Sequence, residues 1–100
     1  MSQTLFIHES IDFSKLLNPV VHALASRNAC VLLPTETVYG LATAFDSAEG
    51  IAKILALKDR PQEKVLPVFV ENLIMADRIA FLSTLALELM EKFWPGPLTL

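Results

Sequence analysis

Cysteine is almost missing from this chain, and its scarcity is the first bound on the chemistry. The single thiol, Cys30, has no intrachain partner, which rules out a disulfide framework and a multi-cysteine zinc site. Lying in the apolar run Cys30-Val31-Leu32-Leu33, it reads as a small buried hydrophobe in a reducing compartment. Glycine numbers only 3, and none forms a Walker loop, a dinucleotide fingerprint or a nucleophile elbow. Neither histidine has metal-ligand spacing; His8 reads as a surface residue and His22, within a helix, as structural. No window approaches the roughly 18 to 20 consecutive apolar residues of a spanning helix, so no membrane association is expected. The start Met1-Ser2-Gln3-Thr4 has no basic stretch leading into an apolar one, so no secretory signal is expected and a cytoplasmic location is the default. Positive charge is the minority, 8 Lys and Arg against 11 Asp and Glu, for a net charge of -3. No global field draws nucleic acid, and any RNA contact needs a local basic patch.

What the chain does have is apolar side chains, at 53% of its 100 residues with a mean hydropathy of +0.48. One hundred residues make one domain at most, and that apolar share is rich for a small domain. With no spanning segment, the excess points to a core whose other half is missing. Leu98-Thr99-Leu100 reads as the start of a strand, so residues 1–100 are expected to be a partial domain continuing beyond Leu100.

Helix and strand signals alternate, which predicts an α/β domain. Thr4 to His8 reads as an edge strand or ordered arm. Asn18-Pro19 reads as a helix start, with Val20, Val21 and Leu24 on one face, Leu16 and Leu17 just ahead, and Asn28 as a left-handed cap after Arg27. Ala29 to Leu33 follows as a buried strand ending at Pro34. Ala42 to Phe45 is read as extended. Asp46 and Glu49 have capping-box spacing for a helix carrying Ile51, Ile54, Leu55 and Lys58 along one side, ended by Arg60-Pro61. Val65 to Val70 reads as a strand weakened by Pro67. Asn72 and Ser83 are caps for two further helices, and Trp94-Pro95-Gly96-Pro97 is a rigid turn.

Three segments carry chemistry. Pro34-Thr35-Glu36-Thr37-Val38-Tyr39-Gly40-Leu41 places two hydroxyls, a carboxylate and a phenol at a strand end, the usual place for a ligand in an α/β sheet. Thr35 and Thr37 are able to donate to a carboxylate or accept from an ammonium. The same octet also reads as a polar turn whose threonines satisfy backbone groups, with Gly40 permitting a close approach. Lys58, Arg60 and Lys64 set three cations within seven residues of an acidic chain. The arginine fork suits two phosphate oxygens, but a helix C-terminus is the wrong end for an anion, so side chains would have to do the binding. Taken alone, these cations also read as complements to the helix's own carbonyls. Trp94 to Pro97 is either a pocket wall or an anchored turn, with Thr99 able to touch a phosphate or ribose.

Taken together, Pro34 to Leu41, Lys58-Asp59-Arg60-Pro61 and Trp94-Pro95-Gly96-Pro97-Leu98-Thr99 resemble the YrdC-like family, the L-threonylcarbamoyl-AMP synthases, from about Asn18 to Leu100. The resemblance implies a YrdC-like (RibB-like) α/β fold, a twisted mixed sheet with flanking helices around a positively lined cavity. It implies a nucleotidyltransferase that joins L-threonine, bicarbonate or CO2, and ATP into threonylcarbamoyl-AMP, with release of pyrophosphate. That product starts threonylcarbamoyladenosine formation on tRNA. Under it, Thr37 contacts the threonine substrate while Thr35 and Tyr39 shape its pocket. Lys58 and Arg60 are the catalytic pair on the ATP phosphates, and Lys64 and Thr99 are further ATP contacts. ATP, accompanied by Mg2+, is a substrate, with no prosthetic group. Partners implied are tRNA or double-stranded RNA and the downstream threonylcarbamoyl-transferase machinery. Phe69 stands where some relatives have histidine, and the family's Ser-x-Asn motif is expected beyond Thr99. The alternatives are a non-catalytic nucleotide or double-stranded-RNA binding module and an inactive fragment of the synthase. The carbamoyl-transfer domain of hydrogenase maturation proteins also shares the fold, but it would require acylphosphatase and zinc-finger segments that are absent from these residues.

Overall fold

The computed structural model describes residues 4–7, 12–26, 28–61 and 65–100. His8, Arg27 and Lys64 lie outside the described residues. The element order is α1 (Phe13–Ala25), β1 (Val31–Leu33), β2 (Gly40–Ala42), α2 (Ala48–Leu57), α3 (Leu73–Ile79) and α4 (Thr84–Phe93). The result is a small α/β chain in two compact units, Met1–Lys64 and Val65–Leu100.

In the first unit α1 begins earlier than Asn18. Asp12 is the cap, its carboxylate accepting from the Ser14 N–H at 3.0 Å and the Ser14 hydroxyl at 2.7 Å. Pro19 is therefore interior, where its missing donor costs one helical hydrogen bond without ending the helix. The helix closes on Ser26 in right-handed conformation, and Asn28 does not take the left-handed cap, its side chain accepting instead from the Ser26 hydroxyl at 3.3 Å. His22 is an exposed residue of α1.

β1 stops at Leu33, ahead of Pro34, and pairs antiparallel with β2 in the register Val31 with Ala42, Leu32 with Leu41 and Leu33 with Gly40. The two form a two-stranded sheet. β1 is not buried on both faces. α1 packs against it, while Leu32 points away and is 61% exposed. β2 ends at Ala42, short of Phe45.

The cap of α2 is Ser47, one residue later than Asp46, and its hydroxyl accepts from the Gly50 N–H at 3.0 Å. A Cβ on Gly50 would lie 1.9 Å from Thr43 Oγ1 and 2.8 Å from Thr43 Cβ, so close packing demands glycine here. Thr43 itself donates to the Ala29 carbonyl at 2.8 Å, and Lys53 donates to the Asn28 carbonyl, tying the segment ahead of β1 to the β2–α2 region. Ile54 and Leu55 are buried on α2, and Leu16 on α1.

In the second unit, Asn72 and Ser83 cap α3 and α4 as the sequence predicts, accepting from Met75 N–H at 2.9 Å and Ala86 N–H at 3.1 Å. Ala76 and Met90 are buried. Val65 to Val70 forms no strand, nor does Leu98 to Leu100. β-branched residues favour extension, but a strand requires a partner, and none pairs with them among the described residues. The turn after α4 is fixed by the Trp94 indole N–H donating to the Leu98 carbonyl at 2.9 Å, with Trp94-Pro95 cis. A Cβ on Gly96 would fall 2.4 Å from the Phe93 carbonyl oxygen.

Candidate functional site

The hydroxyl-rich octet is the connection between β1 and β2, and its tip is exposed, Val38 at 73% and Tyr39 at 70%. Thr35 organises it. Its hydroxyl donates to the Val38 carbonyl and accepts from the Thr37 N–H at 3.3 Å, closing the loop on itself. The Thr35 and Thr37 hydroxyl oxygens are 3.4 Å apart. Because Thr35 has one proton and gives it to Val38, Thr37 is the donor in that pair. The oxygen of Thr37 keeps lone pairs on an exposed loop, chemistry able to accept from an ammonium or an N–H. Thr35, half-buried with its proton committed, positions the loop. At Gly40 no backbone of the described residues lies close; an added Cβ would meet Thr35 Cγ2 at an ordinary 3.5 Å.

The cationic turn is built on the C-terminus of α2. Lys58 is the cap and is exposed, one step past the helix rather than in its buried stripe. The next residue, Asp59, has φ of 50°, a left-handed conformation. The Asp59 N–H donates to the Ala56 carbonyl at 3.2 Å and the Arg60 N–H to the Leu55 carbonyl at 2.9 Å. This pair of bonds is a Schellman motif, with aspartate at the position glycine usually holds. The helix thus ends by backbone reversal at Lys58 to Arg60, before Pro61 has any effect. Lys58 and Arg60, both exposed, flank the reversal.

The turn also limits which groups could meet an anion. Right-handed followed by left-handed residues form a concavity of N–H groups that elsewhere binds phosphate. Here the N–H groups of Lys58, Asp59 and Arg60 already donate to Ile54, Ala56 and Leu55. Only the ammonium and guanidinium remain for a phosphate. Asp59 is the residue that sequence reasoning missed; its signal was a left-handed-tolerant side chain directly after the last lysine of an amphipathic helix.

Thr99 is exposed in the second unit, just beyond the Trp94–Leu98 bond. Phe69, in the same unit, is 77% exposed. A cavity lined by Asp77, Arg78, Ile79, Ala80, Phe81 and Leu82 contains none of the expected site residues. Among the described residues, no group of three or more His, Cys, Asp or Glu is placed to hold a metal, and no helix is long and apolar enough to cross a membrane. Cys30 is half-buried; burial pushes its thiol up, and the nearby Lys53 charge partly offsets that.

Comparison with known proteins agrees with the motif resemblance. A Bacillus subtilis protein named threonylcarbamoyl-AMP synthase is 38% identical over 79 residues, covering 78% of this chain and 23% of its own length. Proteins of the same name from Psychromonas ingrahamii and Cellvibrio japonicus are each 36% identical. The first match covers 83% of this chain and 44% of the relative, the second 89% and 48%. The chain therefore spans less than half the length of these curated relatives. No solved structure matches it significantly. The model of the Sua5/YciO/YrdC family, described as "Telomere recombination", matches residues 23–100. That match takes in the octet, the cationic turn and the tryptophan turn, and the chain belongs to the Sua5/YciO/YrdC family.

Proposed function

We propose that this chain supplies the amino-acid and phosphate-binding portion of an L-threonylcarbamoyl-AMP synthase. Residues 1–100 are one part of a YrdC-like domain whose sheet is larger, twisted and mixed, and β1 and β2 are two of its strands. The observation that carries the reading is the match over residues 23–100, which joins the exposed hydroxyl loop and the exposed cationic turn in one family whose relatives bear that name.

In this reading Thr37 accepts a hydrogen bond from the threonine nitrogen, first as ammonium and then as the N–H of the carbamate. Thr35 holds the loop and Tyr39 borders the pocket. Lys58 and Arg60 neutralise the ATP phosphates, and Lys64 and Thr99 are further ATP contacts. Mg2+ arrives as part of the ATP substrate, on its phosphate oxygens. The carbamate oxygen attacks the α-phosphorus, the bond from that phosphorus to the α,β-bridging oxygen breaks, and pyrophosphate leaves with the negative charge spread over its oxygens. Nothing in this route needs a protein nucleophile; positioning and charge neutralisation suffice. The product then passes to the tRNA threonylcarbamoyl-transferase machinery in the cytoplasm.

The test is pyrophosphate release by the full-length protein carrying these residues. Release is expected only when ATP, bicarbonate and L-threonine are all present, and Arg60→Ala is expected to abolish it with the circular dichroism spectrum unchanged. Equal turnover with L-serine, no turnover with any amino acid, or near-normal turnover in Arg60→Ala would refute the assignment. ATP or double-stranded-RNA binding without turnover would favour a binding module instead.

A further inference from the structure

We propose that Asp59 is a positioning residue for the triphosphate, acting through its left-handed backbone and not through its carboxylate. The inference rests on the synthase reading above. Three N–H groups that would otherwise cradle phosphate are spent on α2 carbonyls, so the site's affinity resides in two side chains. Where those side chains emerge depends on the backbone between them, whose left-handed angle is the φ of 50° at Asp59. Were residue 59 to return to the right-handed or extended region, the Arg60 N–H would leave the Leu55 carbonyl. Arg60 and Pro61 would then swing away from Lys58. A glycine would hold this angle without cost, whereas an aspartate holds it at some cost and brings a negative charge between two cations. That charge opposes phosphate, so the carboxylate tempers the site while the backbone builds it.

The two contributions separate by substitution. D59G and D59N keep the left-handed angle and remove the charge. D59V keeps the charge removed and, being β-branched, disfavours the angle. The assay is ATP affinity of the full-length protein by calorimetry, with KM for ATP and kcat measured separately and helix content followed by circular dichroism.

D59G and D59N are expected to bind ATP at least as tightly as the parent. D59V is expected to bind about tenfold more weakly, the size of a left-handed penalty carried into binding, with KM raised and kcat largely kept. A merely structural role would lower stability in D59V while leaving the ATP affinity of the folded protein alone, and that result overturns the proposal. Should D59V not fold, D59A serves, with a smaller loss expected and an unchanged affinity counting against. A parent that binds no ATP, or whose affinity ignores Arg60→Ala, brings down the synthase reading first and this inference with it.

Discussion

Gly50→Ala sets two opposed effects against each other on one residue. In an exposed helix, alanine replaces glycine with a gain of about 1 kcal/mol, from lost chain entropy and better helix propensity. Gly50 is buried in the first turn of α2, and its added methyl would sit 1.9 Å from Thr43 Oγ1, 2.8 Å from Thr43 Cβ and 2.9 Å from Ser47 Oγ. Rotating Thr43 does not clear its Cβ, so backbone must move. That movement endangers the Thr43 bond to Ala29 and the Ser47 cap. A lost buried bond costs about 1–3 kcal/mol, a lost cap about 1 kcal/mol, and overpacking alone about 1–3 kcal/mol. Even one of the larger losses outweighs the propensity gain, so net destabilisation of about 1–3 kcal/mol is expected. Urea unfolding followed by circular dichroism measures it. Thr43→Ala in the same chain should recover part of the loss, because it removes the nearest clashing atom. A Gly50→Ala protein more stable than the parent would refute the packing described between β2 and α2.

Other perturbations read the remaining contacts. Thr35→Val, which removes a hydroxyl bonded at Val38 and Thr37, is expected to cost about 1–2 kcal/mol of loop order and to raise KM for threonine. Thr37→Val should raise that KM about tenfold with the fold kept, and Thr37→Ser should restore most of it. Asp12 is held below its ordinary 3.8 by the Ser14 hydroxyl and then the Ser14 N–H. A depressed carboxyl stabilises above its unfolded value and loses that contribution as pH falls through the folded one. Helicity of α1 should therefore drop at acid pH below 3.8, and Asp12→Asn should flatten that titration. Cys30 should alkylate more slowly than a free thiol at neutral pH, and Lys53→Ala should slow it further by removing the charge that favours thiolate.

Local signals in the sequence were legible where one side chain decides the outcome. Asn72 and Ser83 cap helices because each offers an oxygen to an N–H directly ahead of an apolar stripe. Asp46 reads as the cap of α2 from its spacing to Glu49, but Ser47 takes that place, its hydroxyl accepting from the Gly50 N–H. The close approach of Gly50 to Thr43 is a contact between elements that spacing does not reveal. Pro19 looked like a start because proline suits first turns, yet Asp12 supplies the stronger cap. Val65 to Val70 has strand composition without a strand, since pairing is set by a partner elsewhere. In the candidate site the residue types were readable and their polarity was not. The direction of the Thr35–Thr37 contact follows from where Thr35 sends its proton, to the Val38 carbonyl. The left-handed Asp59 goes with the bonds from the Asp59 and Arg60 N–H groups to α2 carbonyls.

The β1–β2 ribbon leaves its two outer rims unclaimed by any other strand among the described residues. A ribbon of two strands is marginal in water, and vacant rims of donors and acceptors invite a further strand from whatever chain lies nearest. With Leu32 adding a greasy outer face, concentrated solutions of these 100 residues should grow turbid or self-associate. A lysine on that rim would be the simplest way to keep them clear.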